Sequence, residues 1–517
     1  MTSFLKKYLA MNNKDQYPSP NSAGYRFENA RLRTLNEIRP AWIITNKILL
    51  SFIFLGLAIA ATAQNIRQQK TDSVGKLMQK YFNEKKPDQI YELTGEAFRN
   101  ALSMEKFKEV CNNNLFPLGE LKQIPLESFD NGVAKYKAAF DHTVFTLLLS
   151  LDDKDKIQIF LFKPYADETA TKNRSLPSTN TLSNALDRKV DSAVRPYTSM
   201  QATVGLSIGI LKDGKTYFYG YGETVKGNNQ IPNEHTLYEI GSLSKTFTAI
   251  LLADAANDGL VKLDDPISKY LPDSIPELSY EGIPITLKTL SNHSSGIPRM
   301  PNNFQPADNS NPYKDYDDNK LFSFYKNFKP ARKPGETYEY SNVAAGTLGV
   351  IMEKVERDSY ENLFQKKICQ PLGMNETKEF LRKDDSGRFA KGYQEDGTPS
   401  SAWDFKALAP AGAIRSTAFD LLKYANGNLG AAPGPLLKAM DLTHAITFND
   451  GTVRVGLGWH YIKPGTDDVI FHNGQTGGYH SYLAMNPKKR FAVVILSNCA
   501  RGTEDAGSAI MKWMEDN

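Results

Sequence analysis

Strand-like runs stand at both ends of the stretch from Leu186 to the C-terminus, with helix-like sequence between them. Thr203–Leu211 and Thr216–Gly222 are joined by Lys212-Asp213-Gly214-Lys215. An Asp-Gly pair between two apolar runs is a strong signal for a tight hairpin. Tyr482–Met485 and Arg490–Ser497 form a second pair, and a helix is expected from Thr503 onward. A further helix over Leu186–Val194 leads into the first pair. Strands this far apart, with helices between them, predict one antiparallel sheet with a helical region laid against it. Any chemistry would sit where the two meet.

The chain has 517 residues, too many for one ordinary domain. Ahead of the region just described, 64–165 reads as a second, smaller α+β domain. Val74, Leu77, Met78, Tyr81 and Phe82 recur at helical spacing until Pro87 interrupts them. A second helical stretch follows over Asp88–Leu102, and Ser103 is placed to cap a helix over Met104–Cys111. Ala134–Asp141, Thr143–Leu151 and Lys156–Phe162 then read as strands, with Asp152–Asp155 as the turn between the last two. Residues 166–184, rich in Ser, Thr, Asn and Asp, read as a linker, and 185–517 as the main domain. Residues 1–63 read as a leader. Its segment 48–63 is apolar and uncharged, follows Lys47 and ends in Ala61-Thr62-Ala63. That pattern predicts a signal peptide cleaved after Ala63, with export, most simply to a periplasm. About 16 residues is short for a membrane span, which needs ~20. If the leader stayed uncleaved, it would be the chain's membrane attachment.

Lys and Arg number 62 against 58 Asp and Glu. No basic run marks a nucleic-acid partner. The three cysteines, Cys111, Cys369 and Cys499, are widely spaced and odd in number. They predict neither a disulfide framework nor a zinc site. No cofactor is implied, and oligomeric state is not legible.

Candidate chemistry lies in three short motifs in order: Ser242-Leu243-Ser244-Lys245, Tyr340-Ser341-Asn342 and His472-Asn473-Gly474. Each is weak alone. Ser-x-x-Lys recurs at Ser3/Lys6, Ser73/Lys76, Ser103/Lys106 and Ser323/Lys326. Tyr-x-Asn recurs at Tyr81/Asn83, Tyr325/Asn327, Tyr360/Asn362 and Tyr424/Asn426. The Ser242 copy has the better context. Leu243, Phe247, Ile250 and Leu251 share a helical face after it, and Gly259 can end that helix. Ser242 then stands at a helix N-terminus, with Lys245 one turn on. A serine hydroxyl is a poor nucleophile until a neighbouring base takes its proton, and burial can make a lysine that base. Backbone N–H groups at the helix start can receive an oxyanion. Ser244 is the bystander hydroxyl.

The flanks make a family resemblance. Glu239-Ile-Gly-Ser-Leu-Ser-Lys-Thr-Phe-Thr248 resembles the active-site segment of class C β-lactamases and their relatives, the serine D-Ala-D-Ala carboxypeptidases, D-aminopeptidases and esterases. Leu263–Pro272, Leu290–Gly296, Pro334–Asn342, Pro371–Met374, Ala411–Thr417 and His472–Tyr479 agree with the same family. The resemblance implies a β-lactamase/transpeptidase-like fold, with an antiparallel sheet flanked by helices plus an all-helical region. It implies Ser242 as the acylated nucleophile, with Lys245 and Tyr340 sharing and relaying its proton. It implies Asn342, His472, Gly474 and Gln475 as substrate contacts, and the backbone N–H groups of Ser242 and Gln475 as an oxyanion hole. No metal is needed. Substrates would be a D-amino-acid peptide, with the peptidoglycan stem peptide among the candidates, a β-lactam or an ester. A penicillin-binding sensor of low turnover is the alternative. The departure is His472, where the lactamases carry a lysine that helps hold the substrate carboxylate; this favours a peptidase or esterase. His293 is expected to be structural, and the loop Asn302–Asn319 to shape specificity. The small N-terminal domain resembles those related to nuclear transport factor 2.

Overall fold

The computed structural model describes residues 64–130, 132–141, 143–165 and 175–517. The expected leader and the first part of the expected linker lie outside the described residues. Two compact units form among the described residues: one includes those up to Tyr136 together with Leu147–Leu161, the other those within 137–146 and 162–517.

The N-terminal helices follow the periodicity, with one change at Pro87. Helix α1 covers 64–83 and buries Met78 and Phe82. Pro87 opens α2 (Pro87–Glu92). A proline has no N–H to lose at the first helical position, so it starts a helix as readily as it stops one. Then come α3 (Glu96–Ala101) and α4 (Met104–Val110); the Ser103 hydroxyl caps α4 by accepting from the Lys106 N–H. Strands β1 (Leu126–Asp130), β2 (Val133–Ala139), β3 (Val144–Leu151) and β4 (Ile157–Pro164) pair in that order. β1 has no counterpart in the sequence reading. Its run Leu-Glu-Ser-Phe-Asp is short and mostly polar, as suits an edge strand.

The main unit is built on eight strands. Helix α5 (Ala185–Thr198) leads to β5 (Gly205–Lys212) and β6 (Lys215–Gly222). Asp213 and Gly214 take φ of 53° and 71°, the left-handed pair a tight hairpin demands. The remaining strands are β7 (Phe448–Asn449), β8 (Arg454–Val455), β9 (His460–Ile462), β10 (Val469–Gln475), β11 (His480–Asn486) and β12 (Phe491–Ser497). They line up as β7-β8-β9-β10-β11-β12-β5-β6, antiparallel throughout. The two terminal hairpins therefore meet, Val494 pairing with Gly209.

Strands β11 and β12 are buried on both faces. Tyr482, Ala484, Val493 and Ile495 pack under α5 and the C-terminal helix, Glu504–Asp516. Their neighbours Leu483, Met485, Val494 and Leu496 join a larger core with the helical region. At its centre runs α6 (Ser244–Asn257). The sequence marks one apolar face, yet the helix is buried nearly all round, Lys245 included. Phe247 stacks on Tyr424 at 4.3 Å. Polar residues on the other faces bond internally: Thr246 Oγ1 receives the Tyr424 hydroxyl, and Thr248 Oγ1 donates to the Pro410 carbonyl. Helix α7 (Asn342–Glu356) packs against α6 and is capped by the Ser341 hydroxyl. Both helices begin at the same place, beside the end of β10.

Candidate active site

A cleft opens there, lined among others by Ser242, Arg299, Tyr313, Asn342, Trp403 and Gln475. Ser242 sits in the 3₁₀ turn Gly241–Leu243 that precedes α6. Lys245 Nζ lies 3.0 Å from its hydroxyl. Ser244 is otherwise engaged: its Oγ accepts from the Ile414 N–H. Lys245 Nζ also donates to the Ala411 carbonyl at 2.7 Å, and Lys245 is 3% exposed. Burial holds its pKa well below the usual lysine range, and the charge of Arg299 pushes the same way. A neutral amine keeps a lone pair with which to accept the Ser242 proton.

Tyr340 arches over this pair, its ring centroid 4.8 Å from Lys245 Nζ and 5.0 Å from Arg299 Cζ. Burial pushes its phenol up; a hydrogen bond with Ser242 and the charge of Arg299 offset this only in part. Electrostatics thus favour a protonated phenol beside a neutral amine. A cationic lysine would draw out the phenolate, but burying both groups away from water penalises both charges.

Two glycines bring the oxyanion candidates together. A Cβ on Gly474 would stand 2.0 Å from the Ile240 carbonyl and 2.8 Å from the Ser242 nitrogen. A Cβ on Gly241, whose φ is 50°, would stand 2.8 Å from the Gln475 nitrogen. Only glycine lets the end of β10 approach the serine turn this closely.

Asn342, at the start of α7, donates from Nδ2 to Met300 Sδ (3.5 Å) and the Tyr313 hydroxyl (3.4 Å), while its Oδ1 is buried without a partner. It does not bond Lys245. His472, expected as a substrate contact, is packed beside Tyr340 with their ring centroids 6.4 Å apart. It is 1% exposed and absent from the cleft lining, its Nδ1 2.6 Å from the Asn473 carbonyl. Strand alternation explains this: on β10 residues 470, 472 and 474 face the helical core, and the cleft opens only at the strand's end, at Gln475. Burial holds His472 well below the usual histidine range. His460, 5.2 Å away ring to ring, is lowered to about 4 by burial. His293 lies 4.4 Å from the Tyr340 ring and accepts the Ser341 N–H at Nδ1, so it supports the tyrosine turn.

Four other copies of the short motifs serve structure. Ser103 caps α4, Tyr325 bonds Thr347, Tyr360 bonds Thr248, and Tyr424 bonds Thr246. Among the described residues no group of His, Cys, Asp and Glu is placed to hold a metal ion, and no helix is long and apolar enough to cross a membrane.

Sequence reasoning missed the far wall of the cleft. Tyr313 stacks on Phe405 at 4.6 Å and lies 5.2 Å from Trp403. The Trp403 backbone is fastened from below. Its N–H donates to Glu239 Oε1 at 2.7 Å, and its carbonyl accepts from Arg415 Nη2 at 2.7 Å. Glu239 and Arg415 are themselves a buried pair, 3.4 Å apart. Both stand in segments that carry the family resemblance, which was the available signal. Nothing in the local sequence announced Arg299 or Phe405.

The sequence profile of the beta-lactamase family matches residues 190–515. The chain belongs to this family. It is 30% identical to a beta-lactamase of Pseudomonas fluorescens over 347 residues, 60% of this chain and 92% of that protein. It is 26% identical to the D-alanyl-D-alanine-carboxypeptidase/endopeptidase AmpH of Escherichia coli K12, over 56% of this chain and 78% of that protein. Among solved structures, a class C beta-lactamase superposes with a TM-score of 0.58 at 26% identity, covering 66% of this chain and 99% of the other. A D-alanine carboxypeptidase from Burkholderia cenocepacia gives 0.55 at 29%, covering 63% and 98%. This is a serine hydrolase of the class C β-lactamase and D-alanyl-D-alanine carboxypeptidase type.

Proposed function

We propose that the protein forms an acyl-enzyme on Ser242 and hydrolyses a D-amino-acid peptide, a β-lactam or an ester. One observation carries the reading: a buried, neutral-leaning Lys245 amine 3.0 Å from a reachable serine hydroxyl at the mouth of a cleft. In the forward step the Ser242 oxygen bonds to the substrate carbonyl carbon. Its proton passes to Lys245 Nζ, and the carbonyl oxygen takes the negative charge against the Ser242 and Gln475 N–H groups. Tyr340, held as a phenol, donates its proton to the leaving group as the scissile bond breaks, and is reprotonated from Lys245. Water then attacks the acyl-enzyme by the reverse route. The names of the relatives support peptide and β-lactam substrates; the buried, neutral His472 favours a peptidase or esterase over a lactamase.

Residues 64–165 are assigned an accessory role, and the leader 1–63 a role in export. Assay of a D-alanyl-D-alanine peptide, a chromogenic cephalosporin and a p-nitrophenyl ester with wild type and Ser242→Ala tests the reading. Turnover of at least one by wild type and none by the variant is expected. Equal rates for both proteins would refute it.

A further inference from the structure

Arg299 is the one charged side chain among the described residues that line the cleft. It is exposed. Its guanidinium has no ion pair or hydrogen bond among the described residues, and its contact is the face of Tyr340, 5.0 Å away. Its position is set by the main chain: the Arg299 carbonyl accepts the Asn342 N–H at 3.0 Å, which ties the loop to the start of α7. No carboxylate lines the cleft to neutralise it. The acids nearby in sequence to other cleft residues are engaged: Asp404 accepts from Asn311 at 2.9 Å, and Glu395 from Gln475 Nε2 at 3.3 Å. His472, whose place in the motif could have supplied positive charge, is buried behind Tyr340.

An unpaired guanidinium beside a nucleophile is a docking point for an anion. Its planar fork matches a carboxylate, and partial desolvation in the cleft strengthens the pair. The aromatic wall of Tyr313, Trp403 and Phe405 offers a neutral surface for the rest of the substrate. We infer that Arg299 binds a carboxylate on the substrate and so makes the enzyme selective for anionic acyl donors. This rests on reading the cleft as a serine-hydrolase site. Arg299 is assigned binding, with no part in bond making.

The test compares two phenylacetylglycyl aryl esters that differ only in the leaving group, 3-hydroxybenzoate or its uncharged amide. The readout is the ratio of kcat/KM for the two, which cancels any effect of Arg299 on Lys245. Arg299→Gln should lower the ratio by about 10–100-fold, the scale of one charge-assisted pair, and Arg299→Lys by less. A ratio changed less than about twofold by Arg299→Gln overturns the inference. Should wild type cleave neither ester, the hydrolase reading fails separately. Calorimetry of Ser242→Ala, with and without Arg299→Gln, then decides for Arg299, using N-acetyl-D-alanyl-D-alanine and its C-terminal amide. A preference for the free acid that disappears with Arg299→Gln supports the inference; no preference, or one that persists, overturns it.

Discussion

The two walls of the cleft are made differently. On one side stand Ser242 and Asn342, backed by Lys245 and Tyr340, at or beside the starts of α6 and α7. These helices are packed into the main core, and each side chain is placed by the helix beneath it. On the other side stand Tyr313, Trp403 and Phe405, which belong to no helix or strand. They hold one another by ring stacking and are fastened to the core through Glu239 and Arg415. A hydrolytic centre needs sub-ångström placement, which regular elements give; a surface that selects substrates can be changed loop by loop. Changes to the first wall should therefore lower kcat on every substrate. Changes to the second should alter KM and substrate preference.

The largest effect is expected at the first wall. Lys245→Ala should lower kcat/KM by about 10³-fold or more on all substrates alike, measured by steady-state kinetics. A loss confined to one substrate would break the distinction between the walls. Gly474→Ala should come next. The added methyl meets the Ile240 carbonyl and the Ser242 nitrogen, so kcat should fall about 10²-fold while circular dichroism stays close to wild type.

Trp403→Ala probes the second wall. KM should rise about tenfold and kcat on a small ester should change by less than about threefold. An equal fall in kcat would mean that the loops also place the nucleophile.

A pH profile links the walls through Arg299. Lys245 must be neutral to act, so activity falls as pH drops through its depressed pKa. Arg299 is one cause of that depression. Arg299→Gln should therefore move the acid limb of kcat/KM for an uncharged ester to higher pH. An unmoved limb would show that burial alone sets the lysine.

The smallest effect lies behind β10. Glu504 accepts from Asn473 Nδ2 at 2.5 Å and sits 3.1 Å from His480 Nε2, and its pKa is lowered to about 2 despite burial, chiefly by His480. A carboxylate with a depressed folded-state pKa contributes stability above its ordinary value, 4.5, and loses it as pH falls from there towards 2. Glu504 is partly exposed, so solvent screens the pair. Glu504→Gln should cost about 0.5–1 kcal/mol near neutrality and progressively less as pH falls from 4.5 through 2, read from Tm against pH.

The same division explains what could be read from the chain. The Asp213-Gly214 hairpin, the Ser103 cap and the Ser242–Lys245 spacing are local signals, set by neighbours within one turn. The joining of β12 to β5 follows from strands that need partners. Pro87 was ambiguous because the same fixed φ ends one helix and begins another. The burial of His472 depends on which face of β10 meets the core, and a three-residue motif does not carry that register. Arg299, Trp403 and Phe405 reach the cleft through contacts distant in sequence, from loops that have no period to reveal them. Tyr313 lies in the loop Asn302–Asn319, which could be singled out only as a segment.

The central claim is that Ser242 becomes covalently acylated. Intact-protein mass spectrometry of wild type and Ser242→Ala, after exposure to a penicillin and to an activated ester, tests it most directly. One acyl mass added to wild type alone is the expected result, and its decay rate separates rapid hydrolysis from slow release. The same added mass on Ser242→Ala, or none on wild type with either reagent, would contradict the account.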